Sequence, residues 1–542
     1  MCGIAGILSH QPLPEIEQGI KKATRCLSHR GPDEENIWIN LSQTVALGHR
    51  RLKIIDLSEK ASQPMFFLNR YVLIFNGEIY NYLELRDQLV QKGYQFNSHS
   101  DAEVLVACYH DMGKDCLHKL DGMFAFAIWD QQEQILFAAR DRMGEKPFFY
   151  YTDDTQLLFS SELNGLWQLG APKEVNTALL YNFLSISYTS NPSDPQETFY
   201  QNIYKLPPAS FLIYSFNTNQ IIIEKYWQIF PAINSITEQD AIDKLDHLFS
   251  LSIKHRLRSD VSVGTSLSGG LDSSAIVAMC DKIGNASYSH KCFTASFPGF
   301  NKDESTYASE VANKFGLEHY TVTIDEKEIP ELMQRVMLHQ EEPVASASPL
   351  AQFKVYELAK QHGVTVLLDG QGADELLAGY LKYYKWYWIE LYRKRKLYRS
   401  GELKMARKVS GNKLPFGIRE KVSSLFPDLS AALQQTRKSK KAFRNSDLNK
   451  EFAFSQKRSL YYSTPSAFDL NGALYYNTFV NGLDELLRIA DRNSMAHGTE
   501  VRLPFLHHEL VTFVFSVPPE LKIHNGWTKW LLRRSMEAKL PE

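Results

Sequence analysis

The pattern of the chain changes at about residue 238, and this change limits the folds open to it. Before it, short apolar runs dominate, at 46–48, 71–75, 125–129, 135–139 and 157–159, with helical stretches near 14–28, 82–92 and 101–112. That mixture predicts a layered α+β domain with much antiparallel pairing. A turn-rich stretch at 190–195, Pro207-Pro208 and two strand-like runs close this half, and 235–239 reads as a linker ending at a helix start. Beyond it, strands at 262–267, 292–297, 320–324 and 365–368 alternate with helices at 273–281, 304–315, 326–339 and 350–361. Such alternation marks a parallel α/β sheet. The expected domains are 2–210, closing strands and linker over 211–237, and 238–542.

With 542 residues the chain is too long for one ordinary core. A hydrophobic share of 44% against 23% charged residues excludes a disordered chain. The six cysteines form no CxxC pair, which argues against a disulfide scaffold or a zinc ribbon. Without an apolar run of about 18 residues, no membrane partner is expected. No signal peptide is evident, and a cytoplasmic location is the reading. Residues 381–460 carry 21 Lys plus Arg against 6 Asp plus Glu. Either this helical segment is a surface for a polyanion or it is a solvated insertion. No nucleic-acid motif accompanies the charge, so nucleic acid is not expected as a partner.

Chemistry begins at Cys2, in Met1-Cys2-Gly3-Ile4-Ala5-Gly6-Ile7. Removal of Met1 places a thiol and a free α-amine on one residue, and the amine can act as base for the thiol. The alternative is an ordinary buried cysteine. Three clusters bear on the choice. Gly48-His49-Arg50-Arg51-Leu52 offers guanidinium groups that can hold a carboxylate. Asn76-Gly77-Glu78 follows an apolar strand, where an Asn amide and a Gly N–H can face a developing oxyanion. Asp101, at a helix start, can receive an ammonium group or serve as an N-cap. Together they supply what hydrolysis of a glutamine side chain needs.

Cys2-Gly3-Ile4, His29-Arg30-Gly31-Pro32-Asp33, His49-Arg50-Arg51-Leu52, Gln63-Pro64, Asn76-Gly77-Glu78-Ile79-Tyr80-Asn81 and Ser100-Asp101 resemble the glutaminase domain of class II glutamine amidotransferases. The resemblance implies an N-terminal-nucleophile hydrolase with an αββα sandwich. It implies Cys2 as nucleophile and Asn76 with Gly77 as oxyanion hole. It places Arg51 on the glutamine carboxylate, and Glu78 (through its backbone) with Asp101 on the α-amine.

A second loop, Leu267-Ser268-Gly269-Gly270-Leu271-Asp272-Ser273-Ser274, follows a strand and opens a helix. Its glycines let backbone N–H groups turn inward, and the helix N-terminus favours an anion. The Walker A lysine is missing, so this is not a P-loop kinase. Asp272 stands where a carboxylate can hold Mg²⁺ against pyrophosphate.

This loop resembles that of ATP pyrophosphatases, and behind a glutaminase domain it resembles the glutamine-hydrolysing asparagine synthetase family. Asp369-Gly370-Gln371-Gly372-Ala373-Asp374-Glu375, the run from Met495 to Leu506, and Gly526-Trp527-Thr528-Lys529 continue the match. The resemblance implies an α/β parallel-sheet ATP-pyrophosphatase domain. Asp272 and Asp374 would be magnesium ligands, Leu267, Phe293 and Gly370 would lie at the adenosine, and Lys529 would stabilise the α-phosphate. Gln371 and Asp374 would face the acceptor. The implied reaction amidates a carboxylate through an acyl-adenylate, with glutamine, ATP and, as leading acceptor, aspartate as substrates; a homodimer, common among similar proteins, is left open.

Three departures concern the acceptor. Many family members carry Glu at Gln371, and an amide cannot take a proton as a carboxylate can. His507 stands where Asp often follows Pro-Phe-Leu, and Glu341-Glu342-Pro343-Val344-Ala345-Ser346-Ala347-Ser348 is only loosely similar. The chain also stops at Leu540-Pro541-Glu542, short of where family members usually end. Aspartate is therefore the leading acceptor. A sugar acid or peptide carboxylate is the second reading, and a catalytically weakened scaffold the third.

Overall fold

The computed structural model describes residues 2–284, 287–300, 303–411, 414–456 and 459–541. Met1 and, within the basic segment, Asn412, Lys413, Lys457 and Arg458 lie outside them.

The first half contains β1 (Gly3–Ser9), β2 (Glu34–Ile39), β3 (Val45–Arg51), β4 (Met65–Phe67), β5 (Tyr71–Ile79), β6 (Gly122–Asp130), β7 (Ile135–Arg140), β8 (Phe149–Thr152), β9 (Gln156–Ser160), β10 (Ile203–Lys205), β11 (Ser210–Ser215) and β12 (Gln220–Lys225). They form two sheets, in the orders β10-β8-β9-β1-β3-β2 and β12-β11-β7-β6-β5-β4. Their pairings are antiparallel. Ile4, Leu8, Leu47, Val72, Ile74, Ala127 and Phe159 fill the space between the sheets. Helix Ile16–Cys26 covers the outer face of one through Ile16, Ile20 and Ala23. Helices Tyr82–Gln91 and Asp101–Met112 cover the other through Leu85, Leu89, Val104 and Leu105. Both faces of each sheet are thus buried, which is why the strands read as continuous apolar runs. The result is an αββα sandwich followed by a parallel α/β domain.

Two details differ from the sequence reading. β11 pairs with β7 as well as β12, so the strands assigned to a closing segment over 211–237 are members of the second sheet. β1 was not among the expected strands; its apolar run is interrupted by Gly3 and Gly6. Gly6 is there for space: a Cβ would come within 2.2 Å of the Phe159 ring.

In the second half, β13 (Val263–Ser266), β14 (Tyr288–Ser296), β15 (Glu318–Thr323), β16 (Val366–Leu368) and β17 (Glu500–Arg502) make one sheet in the order β15-β14-β13-β16-β17, all parallel. From β13 the chain winds outward through β14 and β15, then returns to place β16 on the other side. The reversal opens a crevice beyond the C-terminal ends of β13 and β16, where open α/β sheets bind ligands.

The basic segment is helical, but its first helix is not a solvated insertion. Helix Lys382–Arg393 buries Tyr383, Tyr384, Tyr387 and Trp388 in the main core. That core also takes Leu52, Ile54, Tyr80 and Met143 from the first half, so the two domains share one apolar cluster. Among the described residues, no helix is long and apolar enough to cross a membrane. Trp388 is 1% exposed and stacks on Tyr384. Trp388→Ala is therefore expected to cost about 3–5 kcal/mol. Denaturant unfolding followed by circular dichroism checks this, and a change below about 1 kcal/mol contradicts the buried placement.

Candidate functional site

Cys2 lies at the start of β1, buried beside the end of β5. Its backbone N–H donates to Asn76 Oδ1 at 3.0 Å. The other half of that amide, Asn76 Nδ2, is buried without a hydrogen-bond partner. A buried unpaired donor is costly, and one aimed beside a thiol suits an incoming oxygen. Gly77 is fixed by its neighbour strand, because a Cβ there would meet Met123 O at 2.2 Å. Burial pushes the Cys2 thiol up from its ordinary value, so it rests neutral and needs a base.

Arg51 ends β3 with its guanidinium held by the carbonyls of Asp56 and Ser58 and by Glu34. Asp101 is not the N-cap: Ser100 Oγ accepts the Glu103 N–H instead. The Asp101 carboxylate accepts the Ile79 N–H at 2.9 Å. Cys2, Arg51, Gly77, Glu78 and Asp101 line one cleft. Burial raises Asp101 to about 6. Burial, with the Glu500 and Asp101 carboxylates, pushes Glu78 well above the usual range. Both shifts favour the protonated acid, that of Glu78 the more strongly.

The second site occupies the crevice between β13 and β16. The loop Leu267, Ser268, Gly269, Gly270 runs from β13 into helix Leu271–Ile283. Ser273 Oγ organises it, accepting the Ser268 N–H and donating to Gly270 O, both at 3.2 Å. Asp272 and Ser274 lie in the first turn of the helix. A cavity of about 470 Å³ opens here, lined by Leu267, Ser268, Asp272, Phe293, Gly370, Gln371 and Asp374. Phe293 packs against Tyr320 at 5.6 Å and presents an apolar wall. Gly370 crosses the loop closely: a Cβ would lie 3.0 Å from that of Asp272.

Lys529 Nζ stands between Asp272 Oδ2 at 2.5 Å and Asp374 Oδ1 at 2.6 Å. The two carboxylates hold the ammonium above its ordinary value despite burial. Asp272 is raised to about 6 by burial and by Asp374, against the pull of Lys529. Its Oδ1 is buried without a partner. Paired carboxylate oxygens with one free atom fit Mg²⁺, a hard cation that takes one or two carboxylates plus phosphate oxygens.

Matches to known proteins agree with this division. The model of the glutamine amidotransferase domain matches residues 1–227, and that of asparagine synthase matches 244–542. The chain belongs to the glutamine-hydrolysing asparagine synthetase family. Asparagine synthetase (glutamine-hydrolyzing) 1 of Bacillus subtilis is 34% identical over all of this chain and 85% of its own length. A putative asparagine synthetase 2 of Methanocaldococcus jannaschii is 33% identical over 77% of this chain and 81% of itself. Amidase chyE of Penicillium rubens is 28% identical over 96% and 83%. This family member is a carbon–nitrogen ligase, a glutamine-dependent amidotransferase with an ATP-using synthetase domain.

Several residues around the sites had no role in the sequence reading. Arg30 Nε donates to Cys2 O at 3.0 Å, and Arg30 Nη1 reaches Glu162 and Asp491 at 2.8 Å each. Arg492 pairs with Glu162 and Glu341. Arg502 pairs with Glu500 at 2.6 Å and approaches Glu78 at 3.8 Å, while its carbonyl accepts the Asp369 N–H beside the cavity between β13 and β16. Tyr356 donates to Asp369 at 3.1 Å. Arg30, Arg502 and Asp369 all lie inside the motifs read above, but a partner across the domain boundary cannot be read from a motif.

Gly269 has φ +83°, and a Cβ would sit 2.6 Å from Glu304 O. Gly269→Ala is expected to weaken ATP binding at least tenfold, measured by equilibrium dialysis, with glutaminase activity kept. Equal ATP affinity in the variant contradicts the tight placement of this loop.

Proposed function

We propose that the chain transfers glutamine nitrogen to a carboxylate through an acyl-adenylate, with aspartate as the leading acceptor and asparagine, AMP and pyrophosphate as products. The observation that carries the first half is the unpaired Asn76 Nδ2 beside Cys2. With Met1 removed, the α-amine takes the thiol proton and the thiolate attacks the glutamine amide. Asn76 Nδ2 and the Gly77 N–H receive the oxyanion, ammonia leaves, and water hydrolyses the thioester. Arg51 holds the glutamine carboxylate, while Asp101 and the Glu78 backbone hold its ammonium.

In the second half, the loop from Leu267 to Ser274 holds the phosphates, and Phe293 and Gly370 bound the adenosine. Asp272 and Asp374 would hold Mg²⁺, which neutralises pyrophosphate as it leaves. Lys529 stabilises charge that gathers on the α-phosphate during attack. Helix Leu483–Met495 links the sites: Asp491 takes Arg30 beside Cys2, and Leu486 and Ile489 line the ATP cavity. Ammonia passing along this helix meets the adenylate and displaces AMP.

A second reading concerns the acceptor. Beyond the phosphate loop the cavity wall is Pro349, Ala351, Val355, Leu486 and Ile489, with Ser348 and Gln352. Apart from Lys529, which is taken up by Asp272 and Asp374 at the phosphate end, the described residues lining it include no Lys or Arg. Aspartate keeps a second carboxylate after adenylation, and such a group favours a cationic partner. An acceptor with an apolar or neutral body suits this wall better, and the Gln371 Oε1, buried without a partner, offers it a hydrogen-bond acceptor.

ATP–pyrophosphate exchange across candidate acids decides the acceptor. Aspartate-stimulated exchange supports the leading reading; stimulation by another acid alone transfers the assignment to the second. Cys2→Ala is expected to abolish glutamine-dependent product and to keep ammonia-dependent product, and joint loss contradicts the two-site scheme. Asp101 must be ionised to hold an ammonium, and its value is about 6. Glutamine affinity is therefore full above pH 6, and KM rises about tenfold per unit below it. Asp101→Asn should raise KM and flatten that profile between pH 5 and 8.

A further inference from the structure

Away from both sites, the boundary between the domains holds a cluster of imidazoles. Asp121 precedes β6 in the glutaminase domain, while His507 and His508 follow Pro504–Leu506 and open helix His508–Ser516 in the synthetase domain. His507 Nε2 lies 3.5 Å from Asp121 Oδ2, and His508 Nδ1 lies 3.9 Å from Asp121 Oδ1. One ligand atom from each of the three falls within 4.8 Å of the others. We propose that Asp121, His507 and His508 form a zinc site that clamps the glutaminase domain onto the synthetase domain.

The donor set is two imidazole nitrogens and one carboxylate oxygen, which suits Zn²⁺ and not the all-oxygen preference of Mg²⁺. Tetrahedral ligands at about 2.0–2.1 Å from zinc stand roughly 3.3 Å apart, so the present spacings need only small side-chain shifts. A supporting partner is present as well. His255 Nδ1 lies 3.0 Å from Asp121 Oδ2, placed to orient a ligating carboxylate by donating to it. The ring of His507 is 2% exposed, and its Nδ1 has no hydrogen-bond partner, so Asp121 is the polar group the ring addresses. Two guanidinium groups face the cluster; each is held through its terminal nitrogens, with its Nε buried without a hydrogen-bond partner. Arg142 donates to the carbonyls of Leu117 and His118, both at 3.1 Å. Arg256 donates to Ser252 Oγ at 2.9 Å and lies over the Tyr80 ring. Glu145 adds a nearby carboxyl group. His507 stands where Asp often follows Pro-Phe-Leu, so the site would be particular to chains with this substitution.

Zinc binding to the full chain tests the clamp. The protein is stripped with EDTA, saturated with Mg²⁺ and dialysed against zinc chloride, and bound zinc is counted by elemental analysis. Wild type should retain one equivalent per chain. His508→Ala should lose it, and so should His507→Gln. His255→Gln should keep it with affinity about 10–100-fold weaker. Cobalt chloride should give the visible absorption of a four-coordinate centre in wild type and not in His508→Ala. Should His507→Gln fail to fold, the partly exposed His508 still carries the test, with circular dichroism melting in EDTA as its folding control. No zinc in wild type, or an equivalent that persists in His508→Ala and so resides on cysteine, overturns the proposal.

Discussion

One buried guanidinium organises the relation between the two halves. Arg30 is fully buried and serves the Cys2 carbonyl, Glu162 and Asp491 at once. The first two partners belong to the glutaminase sandwich and the third to a synthetase helix. A charge taken out of water is tolerable only when paired and hydrogen-bonded, and removing one partner of such a pair costs about 3–5 kcal/mol. Arg492, Glu162 and Glu341 extend the pairing, and burial is outweighed so that Glu162 stays well below the usual carboxylate range. The position of Cys2, the proposed nucleophile, is thus tied to the domain contact. Separation of the domains would strand several charges together.

The same contact sets the distance between the two chemistries. Helix Leu483–Met495 presents Asp491 to Arg30 and Ile489 to the ATP cavity, two residues apart. At a rise of about 1.5 Å per residue these groups are close along the helix axis. Arg502 makes a parallel link. Its guanidinium approaches Glu78 at the glutamine cleft, and its carbonyl fixes the start of the Asp369–Gln371 turn. Both links are short and rigid, which suits a reaction whose intermediate, free ammonia, is lost if it escapes.

Much of this was legible in the sequence, for physical reasons. The β13 loop was readable because phosphate binding needs glycine, hydroxyl and a helix start within a few residues. Cys2, Asn76 and Asp101 were readable as a set because the proposed glutamine hydrolysis uses all three, and the structure brings them together, although Asp101 alone allowed a cap that Ser100 in fact supplies. β1 was not readable, since Gly3 and Gly6 interrupt its apolar run and the demand on Gly6 comes from the distant Phe159 ring. The helix Lys382–Arg393 was misjudged by its charge: the lysines lie between aromatic rings whose burial decides where it packs. Arg30, Asp491 and Arg502 were visible as residues and invisible as partners, because their contacts span hundreds of positions.

The electrostatics of the second site favour a particular order of events in the proposed reaction. Asp272 and Asp374 share one ammonium, and Glu304 and Glu375 also line the cavity. Lys529 alone leaves that wall net negative, which opposes the arrival of a triphosphate. Asp272 and Asp374 would hold a divalent cation carried by the nucleotide, whose charge would offset that of the wall. In the proposed reaction Lys529, no longer needed by those carboxylates, would meet the α-phosphate, where negative charge grows as the bond to pyrophosphate breaks. Its backbone favours such a role: Lys529 sits at φ +53° directly before helix Trp530–Met536, so its stem is anchored while its ammonium exchanges partners. An arginine there would be a poor substitute, since a planar fork satisfied by two carboxylates would leave them less readily than a compact ammonium does.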